Sequence, residues 1–210
     1  MTLTFTTQRD MLDRSADKPA VRLRMALRHE TREAHQALDD LMSTFVLDDP
    51  TDYARFLTVH DMVLPAAERA LEESGIARDL PDWPRRRRRA ALHDDLAELS
   101  DRPQRPALQP SFDFSSQAAR LGAAYVLEGS RMGARMLVDK VPEGDSRFPT
   151  RFLRHGEGER LWPGFIQMLD TADGAGLQQE RAIAEAEHMF DSYRRAAEAL
   201  LKAESLKTVL

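Results

Sequence analysis

A helix that carries glycine in its interior is the feature that most restricts how this chain can fold. Over residues 115–140 the apolar side chains recur at helical spacing, and Ser115 or Ser116 can cap the start. Yet Gly129 and Gly133 lie well inside the stretch, four residues apart and therefore on one face. Each interior glycine costs about 1 kcal/mol relative to alanine, so the bared backbone needs a use. Gly122, Ser130 and Ala134 extend a strip of small residues beside them. In a bilayer such spacing would mark a dimerising span, but Glu128, Arg131 and Arg135 exclude a lipid-facing helix. Two uses stand open on this stretch alone: tight helix–helix packing, or a flat ligand lying against the backbone.

The rest of the composition narrows the classes of function. A chain of 210 residues suits one domain with a sizeable core. A net charge of −5 gives no electrostatic footprint for nucleic acid. Cysteine is absent, which excludes disulfides, thiolate metal sites, iron–sulfur clusters and cysteine nucleophiles. No apolar run approaches the roughly 20 residues of a membrane span, and residues 1–10 have no basic region followed by an apolar one. The expected location is cytoplasmic, with neither a membrane nor nucleic acid as partner.

Taken in order, residues 1–18 are polar and aperiodic and predict a flexible arm; residues 19–210 predict a single all-α domain, a multi-helix bundle. A first helix over 19–42 buries Leu23, Leu27, Thr31, Ala34, Leu38 and Met42, with His35 on the same face. Thr51 or Asp52 caps a second helix that runs to about Ser74, and Gly75 stops it. A third helix over 84–99 opens with five arginines at 85–89, read as a solvated face partly balanced by Asp94, Asp95 and Glu98. Three prolines make 101–110 a loop. After the glycine-bearing helix come a loop at 142–149, a short helical piece at 150–155, a helix over 159–169 and a long helix over 177–204. No stretch alternates as a strand would.

Of six histidines, His35 is singled out, because Asp39 stands four residues on, within reach of its ring. A carboxylate on one ring nitrogen fixes the tautomer and strengthens the other as a metal ligand. Competing sites fail on spacing. A bundle di-iron centre needs two Glu-x-x-His motifs, and the chain has one, ending at Glu185 and His188. No His-Glu-x-x-His zinc motif, phosphate loop or nucleophile elbow is present. One histidine helix and one glycine-bared helix suggest a planar macrocycle between them, its iron ligated by His35 with one position left for dioxygen.

Leu27-Arg28-His-Glu-Thr31-Arg-Glu-Ala-His35 resembles the proximal-helix signature of haem oxygenases, and Tyr125-Val-Leu-Glu-Gly129-Ser130-Arg-Met-Gly133-Ala134 resembles the distal-helix motif of their bacterial branch. That branch includes enzymes encoded beside bacteriophytochromes and enzymes of haem-iron acquisition. The resemblance extends through residues 89–96 and 185–190. It implies a haem oxygenase fold with haem b, both cofactor and substrate, between a proximal and a distal helix. His35 matches the iron ligand. Arg28 and Tyr125 match positions that contact the propionates, and Asp39 a carboxylate beside the proximal histidine. Gly129, Ser130 and Gly133 match the distal catalytic segment, where the glycine backbone lies over the haem. Mammalian members carry aspartate where this chain has Ser130, and no acid–base role is assigned to the serine. The implied reaction splits haem to biliverdin, ferrous iron and carbon monoxide with O2. Its electrons come from a separate reductase or ferredoxin, and a biliverdin-binding phytochrome is a possible pathway partner. Two alternatives are a haem-binding or haem-sensing protein without turnover, and a di-iron protein on the same scaffold.

Overall fold

The computed structural model describes residues 22–208, so the arm expected at 1–18 lies outside the described residues. Among the described residues nine α-helices run α1 (Leu23–Glu30), α2 (Arg32–Met42), α3 (Pro50–Glu73), α4 (Trp83–Arg86), α5 (Arg89–Glu98), α6 (Gln117–Val138), α7 (Arg151–Arg154), α8 (Leu161–Gly174) and α9 (Gln179–Thr208), and no strand occurs.

The long α9 is the centre of the assembly. α6 packs along it, and α1, α2 and α3 lean on it from the other sides. α6 meets α9 where Gly122 lies over the Ala182 carbonyl; a Cβ at this glycine would fall 2.1 Å from that oxygen. Ala182, Ala186, Ala196 and Ala197 of α9 are buried, and so are Ala118, Ala119, Ala123 and Ala124 of α6. Small side chains on both partners bring the two axes close, and the buried alanines and leucines supply the apolar area that holds them together. α8 and α1 close one end of the bundle against each other, while α2 and α6 both rest on α9 without packing broadly against one another.

The first expected helix is two. It breaks at Thr31, whose hydroxyl donates to the Leu27 carbonyl at 2.7 Å while its backbone leaves helical angles. A threonine hydroxyl bonded back one turn offers the backbone an alternative to the helical ladder and bends it. α3 begins one residue earlier than its expected cap. Asp49 accepts from the Thr51 and Asp52 amides, and Pro50 takes the first helical position, the usual aspartate-then-proline start. Gly75 does end α3, with φ +86°. The expected 84–99 helix is split between Arg86 and Arg89.

The arginine run corrects the expectation of a solvated face. Arg85 and Arg87 are exposed, but Arg86 and Arg88 are buried. Arg86 takes Asp82 with two bonds of 2.7 Å, Glu128 at 2.6 Å and the Leu161 carbonyl at 3.0 Å. Arg88 donates to the Leu127 carbonyl at 2.9 Å and lies over the Phe152 ring, 5.0 Å from its centroid. The break between α4 and α5 turns alternate arginines inward, and buried acceptors on α6 satisfy them.

Candidate functional site

Three glycines on one side of α6 have three different environments. Gly122 is closed by the α9 backbone. A Cβ on Gly129 would meet only the Trp162 ring, at 3.8 Å, and one on Gly133 would meet nothing within 4 Å. The helix therefore starts in tight contact with α9 and ends with its glycine backbone facing open space. Close packing accounts for Gly122 and leaves Gly129 and Gly133 available to something that is not protein. Met132 and Met136 flank this second half, 51% and 74% exposed.

Beside that stretch a cavity of about 730 Å³ is lined by Arg24, Met25 and Arg28 of α1, Tyr125 of α6, and Trp162, Ile166 and Asp170 of α8, among others. The sequence-predicted pair Arg28 and Tyr125 thus line the same cavity, from α1 and α6 respectively. Burial pushes the Tyr125 hydroxyl above its ordinary range, with the Arg28 charge acting in the opposite sense, so it stands protonated as a donor at neutral pH. Trp162 joins this cavity to the glycine segment, its ring 5.8 Å from that of Tyr125. Trp162 carries no signal in the sequence beyond its place in the helix expected over 159–169.

His35 is not on a buried face. Its side chain is 58% exposed, as is that of Asp39, and it does not line the cavity. The cause is the turn at Thr31: α2 presents Ala34, Leu38, Leu41 and Met42 to the core and leaves the histidine on its flank, its ring edge-on to Phe190 with centroids 5.4 Å apart. The expected pairing is present, with His35 Nδ1 3.0 Å from Asp39. That contact leaves Nε2 as the available nitrogen.

Ser130 points away from the open face. Its hydroxyl donates to the Leu127 carbonyl at 2.8 Å and accepts from Arg88 at 2.6 Å. Two residues earlier, Glu128 is buried between Arg86 and Arg131, at 2.6 Å and 3.1 Å. Arg131 also donates to the Arg86 carbonyl and contacts His155 at 3.0 Å. Burial first, and then the Arg88 charge, pull Arg131 down to about 10. Burial, with Arg131 next, pulls His155 down to about 4. This network clamps the inner side of α6 behind the segment whose outer side is bare. Glu185 engages His188 at 3.1 Å and Arg181 at 3.1 Å, and no cluster of three metal-ligating side chains occurs among the described residues; the di-iron alternative has no ligand set there.

The cavity and glycine face offer, to a flat, anionic group, backbone without Cβ on one side and a cation and a phenol at the rim, while His35 on α2 lies outside the cavity lining. The Heme oxygenase family model matches residues 21–199. The chain is 31% identical over 178 residues to heme oxygenase PigA of Pseudomonas aeruginosa, covering 81% of this chain and 87% of that protein. It is 34% identical over 157 residues to a heme oxygenase of Xanthomonas campestris, covering 72% and 93%. In fold it is similar to the heme oxygenase of Neisseria meningitidis, solved with NO and CO bound (TM-score 0.69, 19% identity, 85% of this chain and 91% of that one). It is also similar to that of Leptospira interrogans (TM-score 0.61, 20% identity, 84% and 98%). By its sequence match over most of its length, the chain belongs to the heme oxygenase family.

Proposed function

We propose that this protein is a haem-degrading monooxygenase that converts haem to biliverdin, ferrous iron and carbon monoxide with O2 and electrons from a separate reductase or ferredoxin. The observation that carries the reading is the outward half of α6, where Gly129 and Gly133 bare the backbone beside a cavity rimmed by Arg28 and Tyr125. Haem, when bound, supplies both the iron that activates dioxygen and the ring that is oxidised.

The chain's own residues have distinct tasks. His35 holds the iron through Nε2, and Asp39 accepts from Nδ1–H, which fixes the ring's tautomer and raises its basicity. Arg28 and Tyr125 bind the propionates by charge-assisted hydrogen bonds and set the rotation of the macrocycle. Gly129 and Gly133 admit the macrocycle close to the backbone. Ser130 is a positioning residue: its hydroxyl ties α6 to Arg88 and donates to the Leu127 carbonyl. Behind them, the Glu128 clamp keeps the bared half of α6 at a fixed height over the site.

Reconstitution with haem and a reducing system tests this. Loss of the haem absorption band with appearance of biliverdin is expected; a stable dioxygen complex without product would favour a haem sensor instead.

A further inference from the structure

We infer that Arg24 is a second carboxylate-binding cation of the cavity, held on Asp170 and released to a propionate of the substrate. This deepens the proposed haem oxygenase reading and rests on it.

Arg24 lies one helical turn before Arg28 on α1, so both guanidinium groups project from the same side of that helix. Both line the cavity that Tyr125 and Trp162 wall from the other side. Among the described residues Arg24 pairs with Asp170 of α8, Nε to Oδ1 at 3.6 Å, with the side chains 39% and 32% exposed. That separation is too long for a hydrogen bond. Both atoms are inaccessible to solvent, and neither has a hydrogen-bond partner among the described residues. A buried donor and acceptor left unsatisfied are costly, and here they face each other without closing the bond.

Elsewhere in this protein buried arginines are fully engaged: Arg86 makes four side-chain hydrogen bonds, and Arg120 is bonded to Asp79 and two carbonyls. Arg55 and Arg89 also keep a buried nitrogen outside good hydrogen-bond geometry, but each lies within 3 Å of a glutamate, at 2.6 Å and 2.8 Å, whereas Arg24 is 3.6 Å from its aspartate and lines the cavity. A planar carboxylate entering there offers the fork geometry that a guanidinium binds with two parallel bonds. A substrate with two propionates would then meet two arginines in register, with Tyr125 as the additional donor. Asp170 keeps Arg24 at the wall until the ligand arrives, and competes with it for the cation.

The test compares iron protoporphyrin IX with its dimethyl ester, which lacks both carboxylates, in equilibrium titrations read by absorbance. Arg24→Ala should weaken binding of the free acid about tenfold or more, equivalent to about 1.4 kcal/mol, and leave the ester's affinity unchanged. Arg24→Lys should recover part of the loss, since it restores the charge without the fork. Asp170→Asn, which removes the competing carboxylate, should tighten binding of the acid several-fold and leave the ester unaffected. Equal weakening of acid and ester in Arg24→Ala would reduce Arg24 to a structural tie between α1 and α8. An unchanged affinity for the acid would overturn the inference while leaving the haem reading intact. A wild-type protein that binds neither porphyrin would overturn both. If Arg24→Ala fails to fold, the Asp170→Asn titration decides: no gain for the acid refutes the inference.

Discussion

Alanine at each of three glycines in α6 should produce opposite effects, because one glycine faces protein and another faces space. At Gly122 a Cβ would come 2.1 Å from the Ala182 carbonyl oxygen, and the contact is backbone on backbone. No rotamer change can relieve it; α6 or α9 must move. Overpacking costs about 1–3 kcal/mol, and an immovable neighbour puts Gly122→Ala at the upper end. The gain in helix propensity, about 1 kcal/mol, leaves a net loss of about 2 kcal/mol. Gly133→Ala meets nothing within 4 Å, so the haem-free protein should gain the propensity term, about 1 kcal/mol. Gly129→Ala, with only ordinary contact to Trp162, should behave similarly. For a domain of this size roughly 2–4 °C accompanies each kcal/mol. Gly122→Ala should therefore melt about 4–8 °C lower and Gly133→Ala about 2–4 °C higher, measured on haem-free protein by calorimetry and urea unfolding. Haem affinity should run the other way, with the stabilised Gly129 and Gly133 variants binding more weakly. A Gly133→Ala protein that is destabilised, or a neutral Gly122→Ala, would refute this division of labour.

Further outcomes follow from the same geometry. His35→Ala should abolish the histidine-ligated haem spectrum and turnover while shifting the haem-free melting point little, since an exposed ion pair contributes about 0–1 kcal/mol; thermal melts and absorption spectra check both halves. Glu128→Gln leaves Arg86 and Arg131 buried without their shared carboxylate and should cost about 3 kcal/mol, seen as a lower urea midpoint. Burial chiefly pulls His60 down to about 3 and His155 to about 4, so both are neutral in the fold and protonate first in the unfolded chain. Stability should accordingly be full above about pH 6.5 and fall as pH drops below it, by up to about 1.4 kcal/mol per pH unit per histidine. His60→Phe, which keeps the packing on Phe56, Phe152 and Tyr193, should flatten that slope between pH 6.5 and 5.

The all-α class, the capped glycine helix and the His35–Asp39 pairing were legible because each rests on local spacing. Helical period places Gly129 and Gly133 on one face whatever surrounds them, and a four-residue step brings a carboxylate to a histidine. What spacing cannot report is which neighbour covers a face. Gly122 and Gly133 look alike in sequence, and only the placement of α9 separates a packing glycine from a bare one. The five arginines read as uniformly solvated because burial of Arg86 and Arg88 depends on Glu128, Ser130 and carbonyls far along the chain. An unbroken helix over 19–42 would place His35 on the buried face with Leu27, Thr31 and Leu38. Thr31 had the chemistry to break it, since a threonine hydroxyl can bond back to the preceding turn. Arg24 and Trp162 had no local signal at all: their interest arises where α1 and α8 meet.

The most direct measurement is chromatography of the product formed from added haem under reducing conditions. With Arg28 and Tyr125 together at the rim, the account predicts biliverdin as a single isomer, opened at the α-meso carbon, with carbon monoxide and ferrous iron released alongside. Haem recovered intact would contradict the catalytic assignment, and a product dominated by the β or δ isomer would contradict the rim contacts that are held to orient it.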